Sequence, residues 1–146
     1  MSEIEKALKE GKSIQIRPQG YSMYPMLVPG RDEVILEPVN PDEVRRGDCI
    51  LYRREGSILV LHRVYRVSED GFYFTGDNQD KIEGPLPPGC IRGKVVVFIR
   101  NGKQISIKNP VYKTVSGLWL WLFPVRNQIK IPLACLKKKL GISRRS

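Results

Sequence analysis

Asp70-Gly71 and Asn101-Gly102 each stand between runs rich in Val, Ile, Phe and Tyr. A dipeptide of this kind adopts the positive backbone torsions of a two-residue turn, whose twist matches that of the strands it joins. The pattern predicts two antiparallel hairpins, 57–67 with 72–75 and 91–100 with 104–108. Glu55-Gly56 adds a tight turn between 57–67 and a further strand at 49–53. Alternating apolar residues mark shorter strands at 13–17 and 33–37. With 13 Gly and 11 Pro, the chain is broken too often for long elements. A mainly β, antiparallel domain is expected, and 146 residues are enough to bury a core.

The flanks read differently. Ser2 and Glu5 form a capping-box pattern, and Ile4, Ala7 and Leu8 follow at helical spacing as far as Gly11. A short helix is expected over 3–10. Residues 42–46 read as a turn of helix. The segment 76–89 is rich in Gly, Pro and Asp without a period, and reads as a loop. The character changes again at Asn109-Pro110. Beyond it the chain reads as helical or irregular, with Trp119, Trp121 and Phe123 crowding one patch and 127–140 as a helix interrupted near Pro132. The expected organisation is an N-terminal helix (1–11), a β domain (12–108) and a basic C-terminal segment (109–146).

The net charge of +10 belongs to the C-terminal third of the chain alone. Residues 1–100 hold 15 Lys/Arg and 15 Asp/Glu, whereas residues 101–146 hold 10 Lys/Arg and no acid. Aromatic residues beside uniform positive charge suit the headgroup region of an anionic membrane, so residues 112–146 are a candidate membrane-surface contact. Charge alone would also admit nucleic acid, but no recognition motif accompanies it, and nucleic acid is not an expected partner. Cys49, Cys90 and Cys135 are odd in number and far apart. With a single histidine they point to no disulfide scaffold, metal site or cofactor. The opening residues mix charges and lack the apolar core of a secretory signal. The longest uncharged apolar run, 118–125, falls well short of the ~20 residues that span a bilayer. A cytoplasmic or peripheral membrane location is expected.

Three groups carry potential chemistry. Ser22 lies between Gly20 and Pro25, residues that suit a sharp turn holding a short side chain at a fixed angle. A serine hydroxyl becomes a useful nucleophile only beside a base. His62 is the only histidine, placed mid-strand on the Val60/Val64 face, with an ordinary pKa near ~6.5 that suits a base at neutral pH. A base of this kind is normally oriented by a third group. Asp77 and Asp80 are the candidates. Counting back from the Asp70-Gly71 turn brings Gly76 to the level of 61–64.

These pieces occur together in a recognisable order. Gly20-Tyr21-Ser22-Met23-Tyr24-Pro25-Met26-Leu27 is followed by Arg46-Gly47-Asp48-Cys49-Ile50-Leu51. Next come Leu61-His62-Arg63-Val64, Thr75-Gly76-Asp77-Asn78 and Ile91-Arg92-Gly93-Lys94-Val95. The set resembles the serine peptidases that include type I signal peptidases and the self-cleaving LexA-type repressors, over about residues 12–108. Histidine, rather than lysine, before Arg63 is similar to the archaeal and endoplasmic-reticulum signal peptidase branch.

The resemblance implies a coiled antiparallel β-structure, Ser22 as nucleophile, His62 as general base and an acid orienting the histidine. Asp77 and Asp80 both remain open for that role, with Glu83 following. It implies an extended peptide or preprotein substrate of signal- or leader-peptide type, with small residues before the cut. The Ser22 N–H would serve as oxyanion donor, since Gly20 has no hydroxyl to offer. Only 21 mostly polar residues precede Ser22, so the usual membrane-helix arrangement of a housekeeping signal peptidase is not expected. No Ala-Gly or Cys-Gly pair lies in 1–21, so self-cleavage is not expected either. The alternative is a catalytically inactive member of the same fold, which binds a peptide or partner and docks through its basic segment.

Overall fold

The computed structural model describes residues 2–20, 22–24, 26–54, 58–79 and 81–125. Among these, eight strands form one sheet in which every pairing is antiparallel. The strands are β1 (Ile14–Ile16), β2 (Asp32–Glu37), β3 (Cys49–Arg53), β4 (Leu59–Ser68), β5 (Gly71–Thr75), β6 (Glu83–Leu86), β7 (Ile91–Arg100) and β8 (Lys103–Ser106). Their order across the sheet is β1-β2-β7-β3-β4-β5-β6, with β8 also paired to β7. The mainly β architecture follows from the hairpin signals. Both predicted hairpins are present, β4–β5 and β7–β8.

Alternation along β3 divides the interior into two cores. Cys49 and Leu51 join Leu36, Val95 and Phe98 on one face, while Ile50 and Tyr52 join Val64, Phe72 and Phe74 on the other. The first core is closed at one end by helix α1 (Glu3–Lys9), whose capping box of Ser2 and Glu5 is formed. Leu8 is buried against the sheet near Gly93. The buried Glu5 carboxylate binds Arg53 and Arg92, and these guanidinium groups hold it well below the usual carboxylate range.

One segment departs from its reading. Within 76–89, expected to be a loop, Glu83–Leu86 forms β6 and pairs with β5 through Phe72↔Leu86 and Phe74↔Glu83. Pro85 and Gly84 hide the strand in sequence. An edge strand has one unpaired side, so it accepts a proline that cannot donate a ladder hydrogen bond.

The C-terminal segment contains helix α2 (Pro110–Trp121), capped by the Asn109 side chain with Pro110 in its first turn. Its inner side places Tyr112 against Phe98, at a ring separation of 4.8 Å, and buries Leu120. The aromatic residues do not share one patch. Trp119 donates from Nε1 to the Asp77 carbonyl, Phe123 packs on Tyr65, and Trp121 is 71% exposed. Residues two apart on a helix point in different directions, which separates the two tryptophans. The helix expected over 127–140 lies outside the described residues. So does Cys135. Cys49 is buried and Cys90 half-buried, both as free thiols. Burial pushes the Cys49 thiol up to about 12. No helix among the described residues is long and apolar enough to cross a membrane.

Candidate active site

Ser22 occupies the turn that joins β1 to β2. Gly20 has φ +79°, a left-handed conformation that favours glycine and lets the chain reverse before the serine. Just beyond Ser22, Met23 and Leu27 are both buried in the first core, and the Leu27 N–H bonds the Met23 carbonyl at 2.9 Å. Side chains four apart in a helical turn lie on one face, so this pair pins the turn while Ser22 stays half-buried at the surface. Burying each contributes about 1.5–3 kcal/mol. The far end of the turn is held by Asp32, whose carboxylate accepts from the Val28 N–H, Arg31 and Arg100. Burial opposes the charge of Asp32, but those hydrogen bonds outweigh it and lower its pKa.

The Thr75-Gly76-Asp77-Asn78 segment braces the serine from the other side. The Asn78 N–H donates to the Ser22 carbonyl at 2.9 Å. A Cβ on Gly76 would lie 2.4 Å from that same carbonyl oxygen, so the backbones approach as only glycine permits.

His62 comes from β4, in register with Ile50 of β3. It is 5% exposed. Residues 59–62 of β4 pair with β3, and β5 begins to pair only at Arg63, so this stretch has a free edge among the described residues. A cavity of about 540 Å³ lies along it, lined by Leu59, Leu61 and His62 from β4 and by Ile16, Pro18 and Ser22 from the β1 side. Ser22 and His62, distant in sequence, therefore share one cavity. Among the described residues no hydrogen bond joins them. The Ser22 N–H likewise has no acceptor there.

The hydrogen bond to the His62 ring comes from a residue that sequence reasoning passed over. His62 Nδ1 lies 3.1 Å from the Tyr52 hydroxyl, which is 2.6 Å from Glu83 Oε1. Arg54 in turn holds both Glu83 oxygens at 2.8 and 2.9 Å. Asp77 faces elsewhere. Its two oxygens each accept from Arg63 at 2.8 Å, in a pair whose side chains are both fully buried. Arg63 also donates to the Gly47 carbonyl and to Tyr112 Oη. Asp77 thus reaches His62 only through space, and the orienting bond expected from it is made by Tyr52. The other candidate, Asp80, lies outside the described residues. A register count could have found Tyr52. It is paired with Val60, and the diagonal neighbour on the same face is His62.

Burial sets the basicity of this histidine. It pushes the imidazole down to about 4, the Glu83 and Asp77 carboxylates opposing and the Arg54 guanidinium reinforcing the shift. His62 is therefore neutral near pH 7 and able to accept a proton. Tyr52 is held protonated, burial and the Glu83 hydrogen bond both raising its pKa. Glu83 is held ionised, chiefly by the Arg54 hydrogen bond.

No protein-family model matches this chain, and no curated protein matches it. A hydroxyl and a neutral imidazole on one cavity are the components of nucleophilic acyl transfer. Among the described residues no group of three or more His, Cys, Asp or Glu side chains converges as a metal site would require.

Proposed function

We propose that the protein is a serine endopeptidase of the signal peptidase type, with Ser22 as nucleophile and His62 as general base. The observation that carries this reading is the convergence of Ser22 and His62 on one cavity. The motif resemblance over residues 12–108 points the same way. Strand edges supply the substrate site. β1 pairs only with β2, and 59–62 only with β3, among the described residues. Both segments reach the cavity, so an extended peptide can add its backbone there as a further strand.

The chemistry follows in two steps. His62 Nε2 takes the Ser22 Oγ proton as Oγ bonds the scissile carbonyl carbon. The Ser22 N–H donates to the oxyanion. The C–N bond then breaks, the leaving amine takes the proton from Nε2, and an acyl-serine ester remains. Water, deprotonated by the same imidazole, hydrolyses that ester and restores both side chains. The substrate class carried by the resemblance is a signal- or leader-like peptide with small residues before the cut.

Acylation by a 4-nitrophenyl ester, followed by nitrophenolate release, tests the reading. Wild-type protein should be acylated at Ser22, and Ser22→Ala and His62→Ala should both lose the reaction while melting as wild type. Undiminished acylation in either variant overturns the assignment.

The second reading, an inactive peptide-binding relative, is favoured by one observation: the missing Ser22–His62 hydrogen bond. Extended-peptide binding by a folded wild type that no acylating ester modifies would establish it.

A cytoplasmic or peripheral membrane location is part of the proposal, the membrane contact being assigned to the C-terminal segment. Val111, Leu118 and Trp121 of α2 are exposed apolar residues in the acid-free segment. Co-sedimentation with vesicles containing phosphatidylglycerol, but not with pure phosphatidylcholine, is the expected result.

A further inference from the structure

Tyr52 has one hydroxyl proton and two candidate acceptors for it, with the Arg54 guanidinium, a donor only, close by. Its oxygen is 2.6 Å from Glu83 Oε1 and 3.1 Å from His62 Nδ1. Glu83 is clamped by both arms of Arg54 and carries a negative charge, so it can only accept. The phenolic proton therefore goes to Glu83. What Tyr52 offers His62 is an oxygen lone pair, and a lone pair can be met only by an Nδ1–H.

We propose that Tyr52, aligned by Glu83, is a positioning residue that fixes His62 as the Nδ1–H tautomer and leaves Nε2 bare to receive the Ser22 proton. The inference rests on the peptidase reading for its purpose, though not for its geometry. A neutral phenol stands where a serine peptidase triad has a carboxylate, and the carboxylate sits one hydrogen bond further out.

Three strands hold the chain of groups rigid. Tyr52 comes from β3, His62 from the neighbouring β4, and Glu83 from β6. Phe74 of β5 stacks on the Tyr52 ring at 4.1 Å and 20°, and Phe74 is itself the register partner of Glu83. The phenol cannot swing without unstacking a fully buried ring. No hydrogen bond among the described residues reaches Nε2, so that nitrogen is uncommitted.

Two substitutions make opposite chemical changes with the same expected outcome. Tyr52→Phe keeps the stacked ring and deletes the acceptor. Glu83→Ala keeps the phenol and frees its proton to turn toward Nδ1, which then must give up its own hydrogen. Either way the ring should move to the Nε2–H form, which cannot take a proton from serine. A base in the wrong tautomer loses most of its contribution, so acylation should fall by about 10²–10⁴-fold.

Because His62 is the only histidine, the imidazole nitrogen NMR spectrum of histidine-labelled full-length protein reports this ring alone. At pH 7 the expected spectrum has a protonated Nδ1 and a bare Nε2 in the wild type, with the assignment reversed in folded Tyr52→Phe or Glu83→Ala. Glu83→Ala carries the test if Tyr52→Phe does not fold. A wild-type ring already in the Nε2–H form, or variants whose ring does not change, would overturn the proposal. The spectrum needs no turnover. The expected tautomers without ester acylation would support the positioning role and overturn the peptidase reading instead.

Discussion

His62 and Arg63 are adjacent on β4, point to opposite faces of the sheet, and meet different acids. Arg63 meets Asp77 directly, with both partners sealed from water and three of its nitrogens engaged. His62 meets Glu83 only through Tyr52, on the edge of a cavity, with Nε2 left over. The first arrangement is closed and gives the fold a fixed geometry. The second leaves one ring nitrogen without a hydrogen bond among the described residues, as the proposed role of proton acceptor requires. The difference teaches that buried charge beside a candidate catalyst need not be catalytic: the better-made pair is the one with nothing left to do.

Breaking the closed side should have the larger effect. Asp77→Ala leaves the Arg63 guanidinium buried without its carboxylate, a loss of about 3–5 kcal/mol of stability, read by urea unfolding. A loss under about 1 kcal/mol would erase the contrast between the two faces. Gly76→Ala tests the link between that side and the Ser22 turn. Its Cβ must displace the Ser22 carbonyl, so acylation should drop at least tenfold, as read from the ester reaction.

On the open side the burial of His62 makes a pH signature. Its folded pKa is depressed to about 4, below the ordinary ~6.5, so the unfolded chain binds the extra proton first. The stabilisation is complete above about pH 6.5 and is lost as pH falls toward 4, amounting to roughly 3 kcal/mol. His62→Gln should flatten that part of the stability profile, measured by urea unfolding at each pH. The smallest expected effect is at the outer link. Glu83 is partly exposed, so Glu83→Gln should cost no more than about 1 kcal/mol in the same assay. A cost as large as that of Asp77→Ala would show the two faces to be equally structural.

Much of this architecture is legible in the sequence. Asp70-Gly71 and Asn101-Gly102 announce their hairpins because a two-residue turn demands particular backbone torsions. The Ser2–Glu5 cap announces α1. Ser22 and His62 stand out by their chemistry, and counting from the turn puts the Asp loop at the right level, Thr75 lying opposite Arg63. Level alone cannot tell which face of β4 a loop residue meets, however. Asp77 went to the arginine side and Tyr52 supplied the histidine's hydrogen bond. β6 stayed hidden because one-sided pairing imposes no hydrophobic alternation, and Gly84-Pro85 imitates a loop.

The position of β7 carries a consequence for how such a protein comes into being. Residues of β7 sit between β2 and β3. The half of the sheet that shapes the serine turn and the half that carries the histidine have no shared ladder until 91–100 has been added. A chain still emerging from the ribosome, complete only through β6, holds Ser22 and His62 with the 76–78 contact to the Ser22 carbonyl but without the strand that pairs with both halves. Assembly of the candidate site thus waits on a long-range pairing rather than on any local turn.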